Sequence, residues 1–209
     1  MIISHSLRYV YIGIPRTGSK SMNRWLMKHC AGEWVGDHHD WRVPDDAKDY
    51  LVFTTVRNPY DRAVSGYFGI PWGELDMRED LREQLPLPDK STNPLTKIVE
   101  EARARNAATN EGVDMSQKDY VTKAGVSLVL YFERLPQALR ELPFASAAAI
   151  AEFPHVLERG IRPAGTFFDF FSDDDEAAYW AYTREEFEAF GYERFSSGLA
   201  ADAPDVLRL

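Results

Sequence analysis

The stretch from Tyr9 to Lys28, YVYIGIPRTGSKSMNRWLMK, constrains the fold more than any other part of the chain. Tyr9 to Ile14 alternate aromatic and branched apolar residues, the pattern of a short buried strand. Pro15 to Ser19 then crowd proline, arginine, threonine, glycine and serine together. Beyond them Met22, Trp25, Leu26, His29 and Cys30 recur at helical spacing, which predicts one apolar helix face. A strand, a tight polar loop and a helix in that order aim several backbone N–H groups and the positive end of a helix dipole at one point. Arg16 and Lys20 add full charges there, so the segment reads as an anion cradle suited to phosphate.

The rest of the chain supplies partners for this unit. Leu51 to Val56, LVFTTV, predicts a second buried strand, and it runs straight into Arg57-Asn58-Pro59. Pro59 suits a first helical position, and Ala63, Val64, Tyr67 and Phe68 continue an apolar helix face. Val126 to Phe132, VSLVLYF, predicts a third strand, followed by a short helix over Glu133–Leu142. Ala145–Gly160 carries a weaker helical pattern, and a further helix is expected around Ala177–Ala189. Gly32 reads as the stop signal of the first helix. Asn93-Pro94 signals another helix start, and the acidic runs at 45–49 and 173–176 read as solvated faces. Strands alternating with helices predict an α/β fold: one domain over residues 1–209, three-layered, around a central parallel sheet. Ligands of such sheets bind beyond the carboxyl ends of the strands, which sets the two basic loops on one edge, about one strand spacing (~4.8 Å) apart if their strands are neighbours. A ligand with two separated phosphates would suit them.

Bulk properties narrow the function classes. A chain of 209 residues can bury one substantial core, and a net charge of -9 disfavours a general nucleic-acid binder. Cys30 is the only cysteine, so no intramolecular disulfide can form, and a reducing, cytoplasmic setting is expected. No apolar run approaches a membrane span, and none of the features points to a membrane partner. His38 and His39, between Asp37 and Asp40, have no His/Cys cluster elsewhere to complete a ligand set, so no metal site is expected.

Two families of phosphate-binding loop compete. In the ATP-binding P-loop, G-x-x-x-x-G-K-S/T, the lysine follows the second glycine directly. Here Gly13 to Ser21 reads GIPRTGSKS, with Ser19 inserted before Lys20, and no strand ends in the aspartate that would hold magnesium. A P-loop nucleotide kinase is therefore the weaker fit, and a nucleotide-binding module without turnover is the non-enzymatic alternative.

IPRTGSKSM instead resembles the 5′-phosphosulfate loop of sulfotransferases that use 3′-phosphoadenosine-5′-phosphosulfate (PAPS), Pro-Lys/Arg-Ser/Thr-Gly-Ser/Thr-Thr/Arg/Lys. VRNPYDRAVSGYF is similar to their 3′-phosphate loop, R-x-P-x-x-R-x-x-S-x-Y, at Arg57, Pro59, Arg62, Ser65 and Tyr67, and the loops occur in the family's order. VLYFERL (129–135) and YTREEFEAFGY (182–192) are fainter echoes, and residues 71–115 carry none. The flavour is nearer the carbohydrate-type enzymes, since a tryptophan typical of the phenol and steroid branch is replaced by Ser21.

The resemblance implies a P-loop NTPase-like sulfotransferase fold. It implies transfer of a sulfuryl group from PAPS to a hydroxyl of a carbohydrate or other small-molecule acceptor, with 3′,5′-ADP as product. Pro15, Arg16, Thr17, Gly18, Ser19, Lys20 and Ser21 would hold the 5′-phosphosulfate, and Arg57 with Ser65 the 3′-phosphate. Arg62 either joins them or pairs with an acidic neighbour. Position 16 is usually lysine in the family; arginine cannot donate its proton near neutral pH, so Lys20 shares or takes over the stabilisation of the leaving phosphate. The family's base is a histidine between the two loops, where GDHHDW lies. His39 is preferred over His38, with Asp37 or Asp40 orienting the pair; adjacent residues of an extended segment face opposite ways, so only one of the two faces sulfur, and Glu33 and Glu133 are the alternatives. The unmatched 71–115 segment would set acceptor specificity.

Overall fold

Period-two alternation along the three forecast strands divides their side chains between two cores, one on each face of a sheet. In the computed structural model, which describes residues 1–37, 39–67, 115–154, 171–196, 199 and 203–209, these strands are β2 (Tyr9–Ile12), β4 (Leu51–Val56) and β5 (Leu128–Tyr131). Val10, Ile12, Val52, Val56, Val129 and Tyr131 enter one core, while Tyr9, Tyr11, Phe53, Leu128 and Leu130 enter the other. Both faces are covered, which is why these strands read as continuous apolar runs.

β2 pairs in parallel with β4, and β4 with β5. The sheet as a whole is mixed rather than parallel. β1 (Ile2–Ser4) lies antiparallel to β2, β3 (Glu33–Trp34) antiparallel to β1, and β6 (Val206–Arg208) antiparallel to β5. The order is β3-β1-β2-β4-β5-β6. The edge strands escape a sequence reading because they are two or three residues long, too short for periodicity to register.

Helices flank both faces. α1 (Ser19–His29) packs Met22, Trp25 and Leu26 into the core that holds Tyr11 and Phe53. α2 (Pro59–Tyr67), α3 (Gln117–Ala124) and α5 (Asp173–Phe190) bring Tyr60, Val64, Tyr120, Tyr179 and Phe187 to the opposite core. α4 (Ala147–Ala151) is tied to α1 by Trp25 Nε1, which donates to the Ala149 carbonyl at 2.6 Å. Large side chains such as Trp25, Tyr11 and Phe53 are fully buried, each contributing roughly 1.5–3 kcal/mol before the entropy of ordering is subtracted.

Several local expectations change. The forecast helix over 133–142 is two 3-10 turns, at Phe132–Arg134 and Gln137–Glu141. The helix expected from Ala177 begins at Asp173, capped by the Ser172 hydroxyl, which accepts from Asp175 N–H. The acidic run 173–176 is thus its first turn, where carboxylates complement the dipole. It is not wholly a solvated face, because Glu176 is buried and receives Tyr60 Oη–H and both Nε and Nη2 of Arg194. α1 ends through Ala31 at φ 49°, not through a left-handed Gly32. Gly32 is required for space: a Cβ there would lie 2.5 Å from Ile2 Cγ2. The forecast helix after Asn93-Pro94 and the 71–114 part of the unmatched segment fall outside the described residues.

Candidate functional site

Three chain segments leave the carboxyl ends of adjacent parallel strands and meet: Pro15–Gly18 after β2, Arg57-Asn58 after β4, and Phe132-Glu133 after β5. The first loop is shaped by two residues in the left-handed region, Arg16 at φ 68° and Gly18 at φ 81°. Gly18 is needed twice over. Its φ disfavours a side chain, and a Cβ would stand 2.9 Å from Cε2 of Phe132. The buried Thr17 hydroxyl closes the loop by donating to the Ile14 carbonyl at 3.0 Å. α1 then starts with no capping side chain at Gly18 and no acidic residue in its first turn, so no carboxylate of that turn offsets the positive end of its dipole.

The second loop is braced against the first. Arg57 Nη1 donates to the Arg16 carbonyl at 3.2 Å, and its Nε and Nη2 grip Asp61 Oδ2 at 2.5 Å. The Arg57 guanidinium stacks on the Phe132 ring, 4.3 Å from its centroid, so Gly18, Phe132 and Arg57 form a contiguous stack. Arg62 Nε donates to the Pro15 carbonyl at 3.2 Å. Asn58 caps α2 with its side-chain oxygen, accepting from Tyr60 N–H at 3.0 Å.

Carboxylate and amide groups hold the backbone of this turn. Glu133 accepts Asn58 N–H at 2.7 Å through Oε1 and the Tyr192 hydroxyl at 2.9 Å through Oε2. Burial pushes its carboxyl above the usual range, outweighing those hydrogen bonds and the nearby Arg57 charge. Gln117, fully buried at the start of α3, accepts Arg57 N–H at 2.8 Å and donates to Arg57 C=O at 2.9 Å. Its amide orientation follows from these partners, since a flip would set donor against donor.

The forecast site residues therefore divide. Pro15, Arg16, Thr17, Gly18 and Arg57 come together as expected, and Ser19, Lys20 and Ser21 form the first turn of α1, with Lys20 exposed. Ser65 is half-buried on α2, six residues after the helix start and so about 9 Å along its axis. His39 reaches the first loop: its Nδ1 lies 2.6 Å from the Gly13 carbonyl. A carbonyl only accepts, so Nδ1 carries the proton, and the neutral ring has its basic lone pair on Nε2. His38 lies outside the described residues. Glu33 is exposed on the edge strand β3, and Glu133 is occupied in holding the second loop.

Asp61, Gln117 and Phe132 are the contacts the sequence reading missed. Asp61 had a signal, its i,i+4 spacing from Arg57. Gln117 and Phe132 had none, because their partners are remote in the chain. No group of three or more His, Cys, Asp or Glu among the described residues could hold a metal, and no helix among them is long and apolar enough to cross a membrane. A cavity lined by Phe171, Ser172, Asp173, Glu176 and Phe195 lies at the start of α5. Comparison with known proteins finds no matching family model, no matching curated protein and no matching solved structure.

Proposed function

We propose that this chain is a PAPS-dependent O-sulfotransferase with a P-loop-like fold, acting on a hydroxyl of a carbohydrate acceptor. The observation that carries the reading is the joining of the two motif loops, IPRTGSKS and RNPYDRAVS, on neighbouring parallel strands, with Arg57 Nη1 on the Arg16 carbonyl at 3.2 Å. Two cationic loops at that separation fit a nucleotide with one phosphate at each end of its ribose. The uncapped, acid-free start of α1 suits the 5′ group, and Arg57 suits the 3′-phosphate.

In the reaction the acceptor oxygen attacks sulfur in line. An S–O bond to the acceptor forms as the S–O bond to the 5′-phosphate breaks, and the products are a sulfate ester and 3′,5′-ADP. His39 takes the acceptor's proton at Nε2, since Nδ1 is committed to Gly13. The Gly13 carbonyl fixes the ring and favours the imidazolium that forms. Lys20 and Arg16, with the α1 N-terminus, stabilise charge accumulating on the leaving phosphate. Arg16 acts only as a fixed charge, whereas Lys20 can also donate a proton.

Thermal-shift titration with 3′,5′-ADP and separately with ATP–Mg tests the proposal. Stabilisation by 3′,5′-ADP and sulfuryl transfer from PAPS to a carbohydrate panel are expected. Stabilisation by ATP–Mg alone would point to the kinase reading instead. Binding of 3′,5′-ADP without transfer to any acceptor would favour the non-catalytic module.

A further inference from the structure

Arg62 lies in the second motif with its guanidinium turned onto three separate elements of the protein, whereas Arg57 is held by Asp61, four residues on, and by the Arg16 carbonyl. All three of its guanidinium nitrogens already meet protein acceptors. Nε donates to Pro15 C=O at 3.2 Å, Nη2 to Met115 C=O at 3.4 Å, and Nη1 stands 3.8 Å from Glu186 Oε2. Those acceptors belong to the first loop, the segment entering α3, and the C-terminal half of α5. Glu186 is only 3% exposed, and it also accepts Gln117 Nε2 at 3.0 Å. Gln117 in turn holds both backbone polar groups of Arg57.

A single partly buried network thus runs from the Pro15 carbonyl through Arg62, Glu186 and Gln117 to the backbone of Arg57. It links the two loops by a route independent of the direct Arg57–Arg16 contact. Loop 15–18 bends through a left-handed non-glycine residue, Arg16, and such a conformation persists only where surrounding contacts hold it.

We propose that Arg62 is a positioning residue: through Glu186 and Gln117 it holds the 5′ loop in its anion-binding shape relative to Arg57, and it does not bind the 3′-phosphate. This rests on the two-phosphate reading above for its ligand consequences, but the effect on the loop itself does not.

The test has a ligand-free arm and a ligand arm. Hydrogen exchange on the free protein should show the amides of residues 16–18 exchanging at least tenfold faster in Arg62→Ala than in wild type. Arg62→Lys should recover global stability but not this protection, because one ammonium cannot span the three separated acceptors. Calorimetric titration should then show that Arg62→Ala weakens 5′-AMP and 3′,5′-ADP by the same factor, tenfold or more, leaving their affinity ratio unchanged. Arg57→Ala should instead collapse that ratio.

Unchanged exchange at residues 16–18 in Arg62→Ala would overturn the proposal, as would a selective loss of the 3′-phosphate increment, which would make Arg62 a ligand contact. Full recovery of loop protection in Arg62→Lys would also overturn it, reducing the role to bulk charge. If wild type bound neither nucleotide, the sulfotransferase reading would fall while the exchange result still decided the role of Arg62.

Discussion

Replacing Gly18 by alanine probes the stack at the centre of the site. Two costs add. A non-glycine residue at φ 81° costs about 1 kcal/mol or slightly more. The new Cβ would lie 2.9 Å from Cε2 and 3.0 Å from Cδ2 of Phe132, so the ring must move. It cannot swing freely, because the Arg57 guanidinium lies 4.3 Å from its centroid. Overpacking of this kind costs about 1–3 kcal/mol, which brings the expected loss to roughly 2–4 kcal/mol. Urea unfolding should register it as a lower midpoint at unchanged slope. Because the displaced ring supports Arg57, 3′,5′-ADP should also lose affinity beyond any fall in stability. Phe132→Leu removes the clashing ring edge at the expense of the stacking on Arg57. In Gly18→Ala/Phe132→Leu the double-mutant cycle should therefore show about 1–3 kcal/mol of favourable coupling, leaving the backbone cost and that of the lost stacking. A Gly18→Ala protein within about 0.5 kcal/mol of wild type, or strictly additive effects, would refute the stacking argument.

Two further perturbations separate chemistry from scaffold. His39→Ala should lower turnover about 10²- to 10⁴-fold, the usual range for a lost general base, with little change in 3′,5′-ADP affinity; full activity measured with PAPS would remove His39 as the base. Glu133→Gln keeps an acceptor for Asn58 N–H and a donor for the Tyr192 oxygen while removing a buried charge. Burial raises the Glu133 pKa on folding, so the folded state binds the proton more tightly, and that contribution is present at low pH and lost as pH rises through the folded value. The stability of wild type relative to Glu133→Gln should accordingly fall as pH rises from the acid range toward neutrality. A difference that stayed flat across that window in pH-dependent denaturation would show that Glu133 titrates as in the unfolded chain.

What the amino-acid sequence determined by itself is local and repetitive. Short apolar runs at Tyr9–Ile14, Leu51–Val56 and Val126–Phe132 announced the three strands that carry both cores, because a strand buried on two faces is apolar along most of its length. The loop of Pro15–Gly18 was legible too, since glycine and polar residues crowd between a strand and a helix only where the chain turns sharply.

Tertiary structure alone decided the rest, wherever the deciding partner is distant in the chain. The edge strands β1, β3 and β6 form because a neighbour offers unpaired backbone groups, not because a few residues prefer to be extended. Glu176 looked like one charge in a solvated run, but the fold buries it against Tyr60 and Arg194. In the motif Arg57 reads as a phosphate contact, while Arg62 reads equally as a ligand contact or as half of an ion pair. Only the packing of α2 against α3, α5 and the first loop gives them different partners: Asp61, Phe132 and Arg16 for one, Glu186, Met115 and Pro15 for the other. Composition and spacing can supply a charged group, but where its charge is spent depends on which acceptors the folded chain brings within hydrogen-bond reach.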